Sequence, residues 1–298
     1  MHPMLWFYRR RNMVGTGWRT FVRCWVGLPV IAAAAFVTTA TEPALSQSAD
    51  QQQPVQTTRD TDEYRRMMEL ANAGNPIAQF NLGVMNDEGI DRPVDPIATR
   101  KWWRLAAENG HVPAQHALAL LLVDIESRRE VPDYAEALRW MKAAADAGNE
   151  RSCYTLGKMH EYGLGVDRDL AAAADLFRQA AGKGLDRAQY ALGKMYRDGR
   201  GVDQDAKQAA HWFAQAAEQG MPKAQSHLAT RLKNGDGVAK DLIKALKWAI
   251  LAARKGHATA ARTEADLRRN LSAKDIKSAE LAATEFASKT SASPAQDG

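Results

Sequence analysis

The chain has 298 residues, enough for two ordinary domains, yet a pattern recurring about every 36 residues makes one continuous stack of repeats the expected organisation. Its formal charge of +5, from 40 Lys and Arg against 35 Asp and Glu, rests on the first 46 residues. Without Arg9, Arg10, Arg11, Arg19, Arg23 and Glu42 the balance is 35 against 34, so the basic excess is no argument for nucleic-acid binding.

The leader has a basic start, an apolar run from Cys24 to Val37 and small residues after it, the layout of a secretory signal. Residues 1–46 are expected to direct export to the periplasm, with cleavage near Ala44-Leu45-Ser46. Left uncut, the run is short for the roughly 20 residues of a spanning helix but would tether the chain to the inner membrane, its only expected membrane contact. Met13 would give a shorter, more ordinary start. Arg9-Arg10-Arg11 lacks the residues that follow a twin-arginine signal, and Cys24 follows Arg23 rather than a small residue, which excludes a lipoprotein. Only Cys153 lies beyond the leader, so folding cannot draw on an intrachain disulfide.

From Gln47 to Asp62 the chain is polar and too poor in apolar residues to bury a core, a disordered linker. A helical pattern starts at Glu63 with Tyr64, Met67, Met68 and Ala71 on one side and Gly74 as its stop; residues 63–77 read as an N-terminal cap. Five units then fill 78–259, opening at Ala78, Ala114, Ser152, Ala188 and Ala224. Each opens with a helix whose apolar slots at offsets 0, 4, 7 and 8 share one face, as Ala188, Leu192, Met195 and Tyr196 do. Gly83, Gly157 and Gly193 sit beside that face, with Ala119 and Ala229 in the same slot of the other units; a missing side chain there implies close packing of a neighbour.

Gly163, Gly199 and Gly235 are expected to end their helices in the left-handed conformation. Asp95, Asp133, Asp169, Asp205 and Asp241 are expected N-caps of the second helices. Those helices carry Trp102, Trp140, Leu176, Trp212 and Trp248 in one expected core slot, then paired alanines and a glycine stop. After Ala260 the pattern fails, with Glu264 in place of the core Leu. Ser272-Ala273-Lys274-Asp275 is a capping box opening a last helix, so 260–287 read as a C-terminal cap and 288–298 as a disordered tail.

The pattern A-x-x-x-L-G-x-M-Y-x-x-G-x-G-V-x-x-D…A-x-x-W…A-A-x-x-G resembles the Sel-one-like repeat family, relatives of the tetratricopeptide repeats, from about Glu63 to Phe286. The resemblance implies an all-α fold, an α/α right-handed superhelical solenoid of helix-turn-helix repeats, used mainly for protein binding.

In such a superhelix the face at offsets −1, 2, 6 and 9 of each first helix lines the concave groove. Here it offers Phe80, His116, Tyr154 and Tyr190 at offset 2, Arg151, Arg187 and Lys223 at offset −1, Lys158 and Lys194 at offset 6, and Arg197 at offset 9. These ten residues are the candidate partner-binding set, tyrosines and long basic side chains being common anchors. The competing reading packs the aromatics on neighbouring helices and leaves the bases to water. Asp124–Asp133 is a longer turn without Gly, after a helix rich in Leu118, Leu120, Leu121 and Leu122; this is an exposed contact patch or a lengthened, packed helix.

No catalytic motif stands out: there is no Ser-x-x-Lys, Gly-x-Ser-x-Gly or His-Glu-x-x-His. Cys153 occupies a slot that holds Gln in the other units, and the histidines scatter over repeat offsets without metal-ligand spacing. The expectation is a non-catalytic scaffold for an envelope protein or peptide, without cofactor, metal or nucleic acid. Regulating a sensor and serving an envelope assembly machine are the roles the resemblance permits. The alternatives are a glycan-binding module on the same groove and, from cysteine-rich relatives, β-lactam binding or hydrolysis.

Overall fold

A computed structural model describes residues 57–90, 93–123 and 133–292. The leader, most of the linker, the turn at 124–132 and the last six residues lie outside them. Among the described residues there are thirteen helices and no strand, an all-α fold, in two compact units that divide after Asn109.

The first unit holds α1 (Thr57–Asn72), α2 (Pro76–Glu88) and α3 (Pro96–Glu108). Helix α1 begins at Thr57, inside the stretch read as linker. Its core sets Ala71 against Ala78, Leu82 and Trp102, with Tyr64, Met67 and Met68 packed around them. α2 starts where Asn75 accepts hydrogen bonds from the Ile77 and Ala78 amides and Pro76 needs no donor, and stops at Gly89 in the left-handed region.

The second unit contains α4 (Val112–Val123), α5 (Tyr134–Asp146), α6 (Glu150–Tyr162), α7 (Leu170–Gly182), α8 (Asp186–Asp198), α9 (Ala206–Glu218), α10 (Pro222–Asn234), α11 (Leu242–Arg254), α12 (Ala258–Asn270) and α13 (Ala273–Ala292). Each helix packs on its neighbours in sequence, and α13 folds back on α11. This stacking of helix pairs is an α/α solenoid, in which each repeat buries its face on the next.

Local chemistry sets the period. All five predicted N-cap aspartates cap: Asp205 Oδ1, for instance, accepts from the Lys207 and Gln208 amides at 2.8 and 3.0 Å. The aspartate's own amide reaches back to a carbonyl of the first helix, Asp169 to His160 and Asp205 to Tyr196, both at 3.0 Å, closing each turn. Two of the second turn glycines, Gly201 and Gly237, are forced by neighbouring backbone. A Cβ on Gly201 would lie 2.1 Å from the Leu170 carbonyl oxygen, and one on Gly237 1.9 Å from that of Ala206. These glycines bring each turn onto the start of the preceding repeat's second helix.

Of the residues read as the core slot of the second helices, Trp102, Trp140 and Trp248 are buried, but in the other two repeats the slot is not the centre. Phe177 and Phe213, one position later, are fully buried, whereas Leu176 and Trp212 are partly exposed. The reason is the helical glycine. A Cβ on Gly193 would lie 2.9 Å from Phe213 Cδ1, one on Gly157 2.8 Å from Phe177 Cε1, and one on Gly83 2.1 Å from Trp103 Cδ1. The ring, rather than the partner backbone, fills the space of the missing side chain. Where the ring position holds Met141 or Ala249, the glycine slot holds Ala119 or Ala229.

A second ladder joins repeats. Gln79, Gln189 and Gln225 donate from Nε2 to the carbonyls of Ala71, Ala181 and Ala217, and Cys153 Sγ lies 3.8 Å from the equivalent Ala145 oxygen. Asn109 and Gln219 complete the amide partnership by donating to Gln79 Oε1 and Gln189 Oε1, at 2.9 and 2.8 Å. Lys255 occupies that position in the last repeat and donates to the Gly220 carbonyl instead, leaving Gln225 Oε1 buried without a partner.

At the C-terminal end the capping box forms: Ser272 Oγ accepts from the Asp275 amide at 3.2 Å. Ala279 and Ala283 are buried against α11, and Phe286 meets Trp248 edge-on at 5.1 Å between centroids. Helix α13 runs to Ala292, past the expected end at 287.

Candidate functional site

In the second unit the first helices are α4, α6, α8 and α10, and the candidate residues lie on them. They do not form one uniform layer. The tyrosines are packed: Tyr154 lies on Phe177 with centroids 5.5 Å apart, and Tyr190 lies 5.8 Å from both Phe213 and His227. His227 stacks on Phe213 at 4.7 Å and 13°. Each tyrosine therefore covers the ring that the helical glycine admits. Burial raises the pKa of both phenols. His116 is hydrogen-bonded to Ser152 Oγ at 2.9 Å, and desolvation, then Arg151, lowers its pKa to about 4. In the first unit, Phe80 stacks on Trp103 at 6.1 Å, and the Trp103 indole donates to the Phe80 carbonyl.

The cations differ in how deeply they are held. Lys158 is buried; its ammonium donates to Glu161 Oε2 at 2.5 Å and Tyr162 Oη at 3.1 Å. Glu161 is also reached by Arg200 of the next repeat at 3.4 Å. Arg197 grips Asp198 through Nε and a terminal nitrogen at 2.6 and 2.8 Å. Lys194 is half-buried, its ammonium 5.1 Å from the Tyr190 ring centroid. Arg187 and Lys223 are exposed, and Arg151 is partly exposed. The structure thus brings Tyr154, Lys158, Tyr190, Lys194 and Arg197 into one stretch over α6 and α8, with the tyrosines and Lys158 as its floor.

Two residues of this region were not anticipated. His227 accompanies Tyr190, its Nε2 3.4 Å from Tyr190 Oη, and its pKa is lowered to about 4 by burial and then by Arg197 and Arg231. Arg231 is buried, donating to the carbonyls of Ala206 and Asp236 at 3.4 and 3.2 Å. Its signal was present: Arg231 holds offset 7, which is Met85, Leu121, Met159 and Met195 elsewhere. His111 and His257, which follow helix stops, accept through Nδ1 from the amides of Ala114 and Ala260. The leucine-rich helix α4 buries Leu118, Leu121 and Leu122, which favours the packed reading over a contact patch.

Burial raises the pKa of the Cys153 thiol, against the needs of a nucleophile. Among the described residues no group of three His, Cys, Asp or Glu is placed to hold a metal, and no helix is long and apolar enough to cross a membrane. What the face supplies is directional positive charge over locked rings.

Comparison with known proteins gives consistent results. The family described as Sel1 repeat matches residues 76–111, 112–149, 151–185, 186–221 and 222–257. Among solved structures, a protective antigen of uropathogenic Escherichia coli displaying an SLR fold is 29% identical at a TM-score of 0.67, over 80% of this chain and 52% of that one. The chain thus spans about half the length of that antigen. A Sel1 repeat protein from Oxalobacter formigenes is 28% identical at a TM-score of 0.60, covering 69% of this chain and 85% of that one.

Proposed function

We infer that this chain, which belongs to the Sel1 repeat family, is an exported scaffold that holds another bacterial envelope protein against the first-helix face of residues 110–298. Sel1 repeats mediate protein–protein interaction and typically form non-catalytic scaffolds. The observation that carries the reading is the placing of the cations Arg187 and Lys194 over a rigid base of packed rings. Side chains mounted on helices whose partners are fixed lose little freedom on binding, so contact energy is retained as affinity. The basic start and apolar run of residues 1–46 support export, and regulating a sensor or serving an envelope assembly machine are roles that suit such a scaffold.

The test is capture after crosslinking in the living cell. The tagged full chain is compared with an Arg187→Ala/Lys194→Ala/Lys223→Ala variant in its own host, and the processed N-terminus is sequenced. The reading expects a protein partner retained by the parent and lost by the variant, and a chain that starts near Ser46. A partner retained by both moves the interface off this face. Binding to cell-wall sacculi with no protein captured would favour a glycan ligand, and an intact leader on a cytoplasmic chain would refute export.

A further inference from the structure

The first-helix face holds a charge imbalance that the fold itself does not settle. Around the α6–α8 surface, Lys158, Lys194, Arg197 and Arg200 cluster about the carboxylates Glu161 and Asp198. Both are occupied. Glu161 takes Lys158 at 2.5 Å and Arg200 at 3.4 Å, and Asp198 takes the forked grip of Arg197. Lys194 makes no ion pair among the described residues, although it is half-buried. A partly desolvated ammonium without a direct ion pair, near carboxylates already gripped by other cations, is unfavourable, since low dielectric strengthens its repulsion from neighbouring cations as well. Its lowered pKa, from desolvation first and Lys158 second, reports the same strain.

We propose that Lys194 is the seat for a carboxylate of an acidic peptide segment in the bound partner, with Arg187 receiving a second carboxylate on the same helix. This deepens the scaffold reading and rests on it. The two positions are seven residues apart on α8, about 10 Å along the axis. Both fall on the same helix face, since seven residues are close to two turns. Acidic side chains two or four residues apart on an extended segment share one face and lie about 7 or 13 Å apart, a range that brackets the spacing of the two cations within side-chain reach. The Tyr190 ring beneath Lys194 holds the ammonium in place and offers apolar surface to the peptide stem. Two separate cations about 10 Å apart along one helix suit two separate carboxylates of one segment, and the competition arms below distinguish them from a phosphate or nucleic-acid backbone.

The test is fluorescence anisotropy with the full chain and labelled octapeptides of alternating Glu and Ala, with Gln and with Lys replacing Glu as controls. The expected result is binding of the Glu peptide at least tenfold tighter than the Gln peptide, weakening as salt rises. Lys194→Met should weaken the Glu peptide about tenfold, and Lys194→Arg should restore most of it. Lys194→Met should also leave the thermal midpoint unchanged or higher, because it removes a half-buried ammonium that makes no ion pair among the described residues; Arg187→Ala, at an exposed position, gives a second reading free of any folding effect. Equal binding of Glu and Gln peptides, or indifference to Lys194→Met, overturns the seat. So does competition by inorganic phosphate or an oligonucleotide at concentrations below that of the Glu peptide. If the crosslinked partner is retained by Lys194→Met, the scaffold stands and the seat falls; if the parent captures nothing, the scaffold reading itself falls.

Discussion

The close fit between Gly193 and the ring of Phe213 makes a sign-reversing prediction. Gly193→Ala places a Cβ 2.9 Å from Phe213 Cδ1 and 3.0 Å from Cε1. That ring is fully buried and sandwiched with Tyr190 and His227, so it cannot swing away cheaply. Overpacking of this kind costs about 1–3 kcal/mol, against about 1 kcal/mol gained by replacing Gly in a helix. The net effect in the parent is a loss of about 0–2 kcal/mol. Phe213→Ala alone should cost about 3–5 kcal/mol by emptying the slot. In that background Gly193→Ala meets no ring and should stabilise by about 1 kcal/mol, recreating the Ala229–Ala249 pair of the last repeat. Urea unfolding of the four proteins, followed by helical circular dichroism, measures the coupling, expected at about 1–3 kcal/mol. If Gly193→Ala has the same effect in both backgrounds to within about 0.5 kcal/mol, the ring does not set the glycine and the reasoning is refuted.

Trp212→Ala should cost less than half of what Phe213→Ala costs, because the indole is partly exposed; equal midpoint shifts would return Trp212 to the core centre. Lys255→Gln should stabilise by about 0.5–1.5 kcal/mol by giving the buried Gln225 Oε1 the donor that Gln219 gives Gln189, and a lower thermal midpoint would contradict the ladder. His116 and His227 have folded pKa values near 4, below the ordinary 6.5, so the unfolded chain takes up protons first as pH falls. Stability is therefore complete above pH 6.5 and lost between 6.5 and about 4, by about 3 kcal/mol for His116 at full effect. His116→Gln should flatten the unfolding midpoint between pH 6.5 and 5, and an unchanged slope would remove His116 as a cause.

Short-range rules made much of the repeat legible. Asp205 as N-cap and Gly199 as stop depend on groups within a few residues, so the sequence states them directly. The choice between Trp212 and Phe213 was not legible, because two adjacent apolar residues both fit one helical face. The deciding fact is the empty position at Gly193 on another helix. The candidate face divides the same way. Lys158 and Glu161 are three apart on one helix and their pairing was open to inspection, while Arg200 reaches Glu161 from the next repeat. Arg231 in a methionine slot was a visible anomaly; its acceptors, the carbonyls of Ala206 and Asp236, exist only once the turn has folded. Helix α13 outran its expected end through Ser288 and Thr290, whose hydroxyls bond back to the carbonyls of Glu285 and Phe286.

The most direct test of the central claim is site-specific photocrosslinking in the living cell, with a photoreactive residue replacing Arg187 on α8 in one strain and Lys207 on α9 in another. Both positions are exposed. The account predicts a discrete adduct with one envelope protein at position 187 and none at 207. An adduct at 207 alone, or none at either, would contradict a partner held on the first-helix face.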